Sequence, residues 1–211
     1  MDKTLCVVGA GRMGIGITLS YIHAGLPVTL IDIKPRERGE QAEYFARVLG
    51  DLRRELATLT RLGLLDAAQA DIALGRVRLT TRDDARADLA HARVVFEAVP
   101  ERLDVKRDTF AWLGRACAPD SVIASTTSTF LVTELAALVH APGRFLNAHW
   151  LNPAYLIPLV EVSRGPQTAD AALQDLLAVL RLAGKTPVQC GPAAGYIVPR
   201  IQALAMNEAA R

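Results

Sequence analysis

A glycine-rich turn near the N-terminus constrains the fold of this chain more than any other feature. The apolar segment 4–8 runs directly into GAGRMG, which has the spacing GxGxxG, and a helix-length apolar pattern follows. In such a context Gly9 permits a tight turn, Gly11 lets the backbone approach a pyrophosphate, and Gly14 allows a helix to pack closely on a strand. The helix N-terminus adds amide hydrogens and a positive dipole, which favour a bound anion. We therefore predict a strand, a phosphate-binding turn and a helix here.

The second apolar segment ends in a residue that completes this dinucleotide-binding pattern. Asp32 follows segment 27–31 and lies 18 positions after Gly14, close to the spacing of about 20 expected for an acidic residue. A carboxylate there accepts hydrogen bonds from the adenosine ribose and repels a 2′-phosphate, so the pattern predicts NAD and not NADP. Lys34 and Arg36, just beyond it, weaken that preference slightly. The alternative is an ordinary strand-to-helix turn with a solvated Asp32. The cofactor contacts predicted from this half of the site are Gly9, Gly11, Arg12, Met13, Gly14 and Asp32.

Short apolar segments recur along the chain, and longer helical patterns separate most of them. Strands that alternate with helices are typical of parallel βαβ units, and continuous apolar character indicates strands buried on both faces. The sequence therefore predicts an α/β fold with a doubly wound, mostly parallel sheet. The predicted strands are 4–8, 27–31, 77–80, 93–99, 121–124, 144–148 and 185–189.

Two helical stretches go beyond this simple alternation. From about residue 36 to residue 73, leucines recur at helical spacing before Gly63, which predicts a helical hairpin inserted between the second and third strands. Its arginines are interpreted as the solvated face of an amphipathic helix and receive no role. From Val198 a helical pattern without a stop signal runs to the last residue, so the sequence is expected to end inside a helix. We predict a dinucleotide-binding domain over 1–192 and the start of a helical domain over 193–211.

The composition excludes several other classes of protein. With 51% hydrophobic and 22% charged residues, the chain has the profile of a globular protein that closes a core. Its net charge of +2 is far from the basic surplus of nucleic-acid-binding proteins. No apolar run approaches the roughly 18 residues of a membrane span, and the first one is too short for a signal peptide. Three scattered cysteines offer neither a disulfide framework nor a metal clip. We expect a cytoplasmic protein with no metal, membrane or nucleic-acid partner.

One histidine stands where open α/β sheets bind their ligands. His149 closes the sixth predicted strand and precedes Asn152 and Pro153, so it lies at the carboxyl end of a strand. Twelve positions later Glu161 interrupts an apolar strand, and a buried carboxylate needs a partner. If the chain reverses between them, Glu161 would orient the imidazole and stabilise its protonated form, making His149 a general acid/base. Spacing alone leaves open a core histidine and an edge-strand glutamate.

Several motifs taken together resemble one family. The sequences GAGRMGIGI, FEAVPERLDVK, ASTTS, AHWLNP, PLVEV, GKxPV and GYIVPR occur in the order and approximate spacing found in the NAD-binding domain of the L-3-hydroxyacyl-CoA dehydrogenase family. The resemblance covers essentially the whole chain, and its HxxNP and LVEV elements are far more specific than the glycine motif. It implies a Rossmann-type domain with an inserted helical hairpin. It also implies a helical C-terminal domain, largely absent here, that provides homodimer contacts.

The resemblance implies roles for four residues in catalysis. His149 is similar to the base that takes the hydroxyl proton, and Glu161 to its orienting carboxylate. Ser128, the last residue of STTS, matches the serine that hydrogen-bonds the substrate oxygen, and Asn152 matches a neighbouring asparagine. Without the family, the STTS run would be interpreted as a turn or helix cap before Leu131.

The nicotinamide end of the cofactor site follows from the same resemblance. Glu101 and Lys106, five positions apart after the fourth predicted strand, resemble the pair near the nicotinamide ribose. The family's SNTS reads STTS here, so Thr126 replaces an asparagine near the cofactor. The other cofactor contacts predicted at this end are Ala98 and Val99.

Two departures from the family pattern bear on the substrate. The family's GFxVNR reads GYIVPR, so Pro199 replaces an asparagine that meets the substrate carbonyl, and a proline side chain has no hydrogen-bonding group. The stretch Asn152–Tyr155 is similar to the lambda-crystallin/L-gulonate dehydrogenase branch, whose members oxidise free hydroxy acids. The resemblance as a whole nevertheless predicts an NAD-dependent oxidoreductase that interconverts an L-3-hydroxyacyl-CoA and its 3-ketoacyl-CoA. A dehydrogenase of a free 3-hydroxy acid and a non-catalytic NAD-binding relative are the alternatives.

Overall fold

The framework of the computed structural model, which describes residues 4–211, is an eight-stranded sheet. Its strands are β1 (Thr4–Val8), β2 (Val28–Asp32), β3 (Val77–Thr81), β4 (Ala92–Glu97), β5 (Val122–Ser125), β6 (Phe145–Trp150), β7 (Leu159–Arg164) and β8 (Thr186–Cys190). They lie in the order β3-β2-β1-β4-β5-β6-β7-β8. The β6–β7 pair is antiparallel and the other neighbouring pairs are parallel. The strand order reverses between β1 and β4, which is where such sheets bind ligands.

Helices cover both faces of the sheet. They are α1 (Arg12–His23), α2 (Arg38–Arg61), α3 (Ala67–Leu74), α4 (Arg86–Leu89), α5 (Leu103–Ala116), α6 (Val132–Ala136), α7 (Asp170–Leu182) and α8 (Val198–Ala209). One core lies between the sheet and α1, α2 and α7, and contains Ile17, Leu52 and Leu176. The other lies between the sheet and α4, α5 and α6, and contains Leu89 and Phe110. The predicted doubly wound α/β fold is confirmed.

The inserted helical hairpin is formed by α2 and α3. Along α2 the buried residues are Val48, Leu52, Leu56 and Leu59, whose spacing places them on one helix face against the core. The chain then turns at Gly63, and Asp66 caps α3 by accepting a hydrogen bond from the backbone of Gln69. The hairpin begins at Arg38 and ends at Leu74, close to the predicted 36–73.

Two strand ends differ from their predicted positions. β4 stops at Glu97, two residues early, because Val99 donates its backbone N–H to the Glu97 carboxylate and the chain turns. β6 continues past residue 148 to Trp150, because antiparallel pairing with β7 extends it. His149 therefore lies within the strand and not after it. Glu161 is not on an edge strand either, since β8 pairs with the far side of β7.

The last helix packs on the domain at one end only. α8 begins at Val198 as predicted and ends at Ala209, two residues before the predicted end. None of its residues is buried, and Ile201, Leu204 and Met206 are exposed. Among residues 4–211, no helix has the length and apolar character needed to cross a membrane.

Candidate functional site

The glycine-rich turn has the geometry that its spacing predicts. Gly9 has a φ of +107°, and a Cβ there would lie 2.5 Å from the carbonyl oxygen of Ala98. A Cβ at Gly14 would lie 1.8 Å from the carbonyl oxygen of Gly9, so both positions require glycine. Gly11 differs, because a Cβ there would meet no protein atom within 4 Å. The space in front of Gly11 is therefore open to a ligand that approaches the start of α1.

A cavity of about 690 Å³ lies in front of this turn, at the carboxyl ends of β1, β2, β4 and β5. Gly14 and Lys106 do not line it. The predicted cofactor contacts that do line it are Gly9, Gly11, Arg12, Met13, Asp32, Ala98, Val99, Glu101 and Thr126. The open turn, the helix N-terminus and an acidic residue at the end of β2 fit a dinucleotide. Among residues 4–211, no group of three or more His, Cys, Asp or Glu side chains is placed to hold a metal ion.

The adenosine end of the cavity carries more positive charge than the sequence indicated. The Asp32 carboxylate accepts a hydrogen bond of 2.8 Å from Nε of Arg36 and a weaker one from Gln41. The Arg36 guanidinium lies 3.9 Å from the ring centroid of Tyr44, and that of Arg47 lies 4.9 Å from the same ring. Arg36, Tyr44 and Arg47 all line the cavity. Arg47 is exposed, in agreement with the solvated face predicted for the hairpin arginines, but helical periodicity did not show that this face borders the cavity.

Lys106 lies beneath the cavity in a buried ionic network. Its Nζ is 2.9 and 3.0 Å from the two carboxylate oxygens of Glu97, and 3.1 Å from Glu101. Glu97 also accepts a hydrogen bond of 2.6 Å from the Ser125 hydroxyl. Lys106 is 1% exposed and Glu97 is fully buried. The structure therefore brings Glu101 to the cavity and connects Lys106 to it only through Glu101.

Glu101 also holds the loop that carries Ser128. Its carboxylate accepts hydrogen bonds from the backbone N–H groups of Ser128 and Thr129, at 3.0 and 3.1 Å, and from the Thr127 hydroxyl. Burial raises the pKa of Glu101, but the Thr127 hydrogen bond and the Lys106 charge outweigh it and lower that pKa overall. Ser128 lines the cavity beside Glu101. The carboxylate thus connects the predicted cofactor contacts to the predicted substrate serine.

His149 and Glu161 are directly opposite one another on β6 and β7. Nδ1 of His149 is 2.8 Å from a carboxylate oxygen of Glu161, and both residues are buried. The other carboxylate oxygen accepts the backbone N–H groups of Ile197 and Val198, at 2.8 and 2.9 Å. Because a carboxylate only accepts hydrogen bonds, the neutral form of the imidazole carries its proton on Nδ1 and presents Nε2 as an acceptor. Such an arrangement can orient an imidazole for general acid/base chemistry.

Tyr196, which the sequence analysis did not single out, contacts the predicted site residue His149 and the loop that carries Ser128. Its ring stacks on the His149 imidazole, with centroids 4.5 Å apart and planes inclined by 10°. Its hydroxyl donates a hydrogen bond of 2.9 Å to the carbonyl oxygen of Thr127, next to Ser128. The residue has a φ of +44°, which non-glycine residues rarely adopt. Its packing fixes both the plane of His149 and the position of the serine loop. The sequence feature that could have identified Tyr196 is its position in GYIVPR, where the family has phenylalanine.

The loop between β6 and β7 is held from beneath by Lys185 of the GKxPV motif. Its buried Nζ donates hydrogen bonds to the carbonyl oxygens of Ala154, at 2.6 Å, and Ile157, at 3.1 Å. Burial lowers the pKa of Lys185 to about 8. Asn152, on this loop, does not line the cofactor cavity but a second cleft of about 420 Å³. Pro199 lies in the first turn of α8, where a missing N–H is tolerated.

Comparison with known proteins decides the family. The family model described as 3-hydroxyacyl-CoA dehydrogenase, NAD binding domain, matches residues 4–193. The chain belongs to the 3-hydroxyacyl-CoA dehydrogenase family. Membership confirms the predictions of an NAD cofactor and of an oxidoreductase of the 3-hydroxyacyl-CoA dehydrogenase type. The roles of individual site residues and the substrate remain predictions.

Relatives of this family differ in the substrate that they are named for. The chain is 33% identical over 208 residues to a probable 3-hydroxybutyryl-CoA dehydrogenase of Bacillus subtilis, spanning 98% of this chain and 69% of the relative. It is 37% identical over 208 residues to the L-carnitine dehydrogenase of Streptomyces coelicolor, spanning 98% and 61%. The crystal structure of (S)-3-hydroxybutyryl-CoA dehydrogenase from Ralstonia eutropha superposes with a TM-score of 0.84 at 32% identity, covering 99% and 70%.

Proposed function

We propose that the chain catalyses the NAD-dependent interconversion of a 3-hydroxyacyl compound and its 3-keto form, with His149 as the general acid/base. The observation that carries this proposal is the contact between Nδ1 of His149 and Glu161, which leaves Nε2 free to accept a proton. A cavity shaped for a dinucleotide would by itself support NAD binding but not catalysis. A buried carboxylate with both oxygens engaged supports a general base.

The chain's own residues supply the proton transfer. Nε2 of His149 takes the hydroxyl proton of the substrate as the C–O bond becomes a carbonyl, and Glu161 stabilises the positive charge that the imidazole gains. Ser128 hydrogen-bonds the reacting oxygen, and Asn152 contacts the substrate beyond it. NAD, when bound in the 690 Å³ cavity, supplies the hydride acceptor. In the reverse direction the protonated His149 returns the proton to the oxygen.

For the substrate we propose an L-3-hydroxyacyl-CoA, the substrate class named for two of the three relatives above. A free 3-hydroxy acid is the second candidate. Pro199 favours it, because proline offers no hydrogen-bonding group to a thioester carbonyl. The L-carnitine dehydrogenase relative favours it too, since carnitine carries no CoA. The contact between His149 and Glu161 argues against a non-catalytic relative.

Replacing His149 with glutamine tests the proposed base. We expect kcat, followed at 340 nm with NADH and acetoacetyl-CoA or a free 3-keto acid, to fall by roughly 10² to 10⁴-fold, because glutamine cannot exchange the proton. NADH affinity, measured by fluorescence, should change by less than about threefold, since His149 does not line the cofactor cavity. His23→Gln is the matched control, because His23 is exposed at the end of α1. Retention of most of kcat by His149→Gln would refute the assignment.

We also propose that residues 1–192 form the NAD-binding domain and that 193–211 open a helical domain through which the protein forms a homodimer. The exposed apolar side chains of α8, Ile201, Leu204 and Met206, support such a contact. We propose a cytoplasmic location, in keeping with three free cysteines. Sedimentation equilibrium tests the dimer, and a monomer at micromolar concentration would contradict it.

A further inference from the structure

The loop that carries Ser128, here called the serine loop, joins β5 to α6 over residues 126–131. Ser128 is exposed and lines the cofactor cavity. Its backbone N–H donates a hydrogen bond to Glu101, whereas its hydroxyl forms no hydrogen bond with another residue of the described chain, 4–211. The position of the hydroxyl therefore depends on the side chains that hold the backbone of the loop.

Three side chains from distant segments hold the serine loop. Glu101 accepts hydrogen bonds from its amide groups. The hydroxyl of Tyr196 donates to the carbonyl oxygen of Thr127, at 2.9 Å. The side-chain amide of Asn147 donates from Nδ2 to the carbonyl oxygen of Phe130, at 3.0 Å. The last two contacts lie on either side of the serine, so together they fix the segment that carries it.

Asn147 also lies beside the residue that stacks on His149. Burial raises the pKa of Tyr196, and a hydrogen bond from the Asn147 side chain opposes that increase, so the amide reaches the tyrosine hydroxyl. Asn147 and His149 are two positions apart on β6, and alternate residues of a strand share one face. One amide therefore connects the strand of the proposed base with the serine loop and with the residue packed on the base.

Stability does not explain an amide at this position. Asn147 is 1% exposed and lies in a strand that is buried along its whole length. Because a carbonyl oxygen only accepts hydrogen bonds, Nδ2 and not Oδ1 faces Phe130. Oδ1 is buried and has no partner among residues 4–211, which is unfavourable for a polar atom. An apolar side chain of the same shape would avoid this cost, so the contribution of Asn147 is its contact with the loop.

We infer that Asn147 is a positioning residue, which holds the serine loop to β6 and thereby fixes the Ser128 hydroxyl relative to the His149 imidazole. The inference rests on the proposed function, because it concerns how two groups of that site are held together. Asn147 itself does not line the cofactor cavity. It acts through Ser128.

Replacing Asn147 with leucine tests this role, because leucine keeps the branched shape and removes both the donor and the unpartnered oxygen. We expect kcat for acetoacetyl-CoA or a free 3-keto acid to fall by about tenfold, with KM changed by less than about threefold, since Ser128 acts on the reacting oxygen in the transition state. The urea midpoint should stay equal to that of wild type or increase. A lower midpoint with unchanged kcat would show a purely structural role and overturn the inference.

Two further variants complete this experiment. Asn147→Ala should lower kcat by a similar factor, and it replaces Asn147→Leu if the larger side chain prevents folding. Asn207→Leu, the same change at an exposed position of α8, is the matched control and should leave kcat unchanged.

A double-mutant cycle shows whether Asn147 acts through Ser128. In a Ser128→Ala background the loop no longer carries the hydroxyl, so adding Asn147→Leu should lower kcat by less than about twofold. A further loss of about tenfold in that background would show that Asn147 acts on another group and would overturn the inference.

Hydrogen exchange distinguishes this inference from the proposed function, because it needs no turnover. Mass spectrometry of the full chain measures exchange of the amides in residues 126–131, with NADH present. Asn147→Leu should accelerate it by about fivefold, as expected for one lost hydrogen bond, and should leave β2 unchanged. Such acceleration supports the positioning role even if wild type converts none of the compounds, and in that case the proposed function alone fails. Equal exchange in wild type and Asn147→Leu overturns the inference, whatever the activity.

Discussion

Replacing Lys106 with methionine tests whether this lysine stabilises the fold or binds the cofactor. Its Nζ lies 2.9 and 3.0 Å from the two oxygens of Glu97, and both residues are almost fully buried. Methionine has a similar length but no charge. The Glu97 carboxylate would keep hydrogen bonds from Ser125 and Val99 but lose its counter-ion. Removing one partner of a buried ion pair costs about 3–5 kcal/mol, so we expect a loss of this size in the free energy of unfolding.

Urea unfolding followed by circular dichroism measures this loss, read at constant m-value. The double variant Glu97→Gln/Lys106→Met should recover part of the stability, because it leaves no buried charge without a partner. Lys34→Met is the control, since Lys34 is exposed at the cavity rim, and it should change stability by less than about 0.5 kcal/mol. A Lys106→Met protein within about 1 kcal/mol of wild type, with strongly weakened NAD binding, would refute the reasoning and favour a direct cofactor contact.

Substitutions at three further residues test the structure. Asp32→Ala removes the predicted ribose acceptor and leaves Arg36 free to bind a 2′-phosphate. The ratio of NAD to NADP affinity, measured by fluorescence titration, should therefore fall by about 10- to 100-fold, and an unchanged ratio would contradict the assignment. Between pH 8 and 10.5, the ordinary pKa of lysine, Lys185 binds fewer protons in the folded than in the unfolded protein. The free energy of unfolding of wild type should therefore rise relative to that of Lys185→Met across this range, by at most about 3 kcal/mol, and a constant difference would refute this. Tyr196→Phe keeps the stack on His149 and loses only the hydrogen bond to Thr127, so it should reduce kcat by no more than about fivefold. Tyr196→Ala also removes the stack and should reduce kcat by at least about tenfold. Equal losses in the two variants would show that the stack is unimportant.

The glycine-rich turn was predictable because its requirements are local. A positive φ at Gly9 and the close approach of Gly14 to the preceding turn leave glycine as the only choice, and the sequence displays that choice directly. Apolar segments likewise located the strands, since burial on both faces leaves little room for polar residues. The end of β6 was placed too early because the apolar run is interrupted at His149, whereas the strand continues through its pairing with β7.

The missed parts of the site depend on contacts between distant segments. Tyr196 stacks on a residue 47 positions earlier, and Arg47 reaches the cofactor cavity from the hairpin. No spacing rule connects such positions, because the turns and helix lengths between them decide whether they meet. Glu97 was overlooked for a related reason: a single carboxylate at the end of an apolar strand does not show that Lys106 is its partner.

Glu161 divides its two oxygens between the imidazole and the first amides of α8, and this division couples two parts of the protein mechanically. One planar carboxyl group cannot rotate toward one set of partners without turning away from the other. Any force that tilts α8 relative to the sheet is therefore transmitted through a single rigid group to the ring of His149, the proposed general base. The position of α8, which is exposed and otherwise loosely packed, and the orientation of the His149 ring are consequently expected to change together.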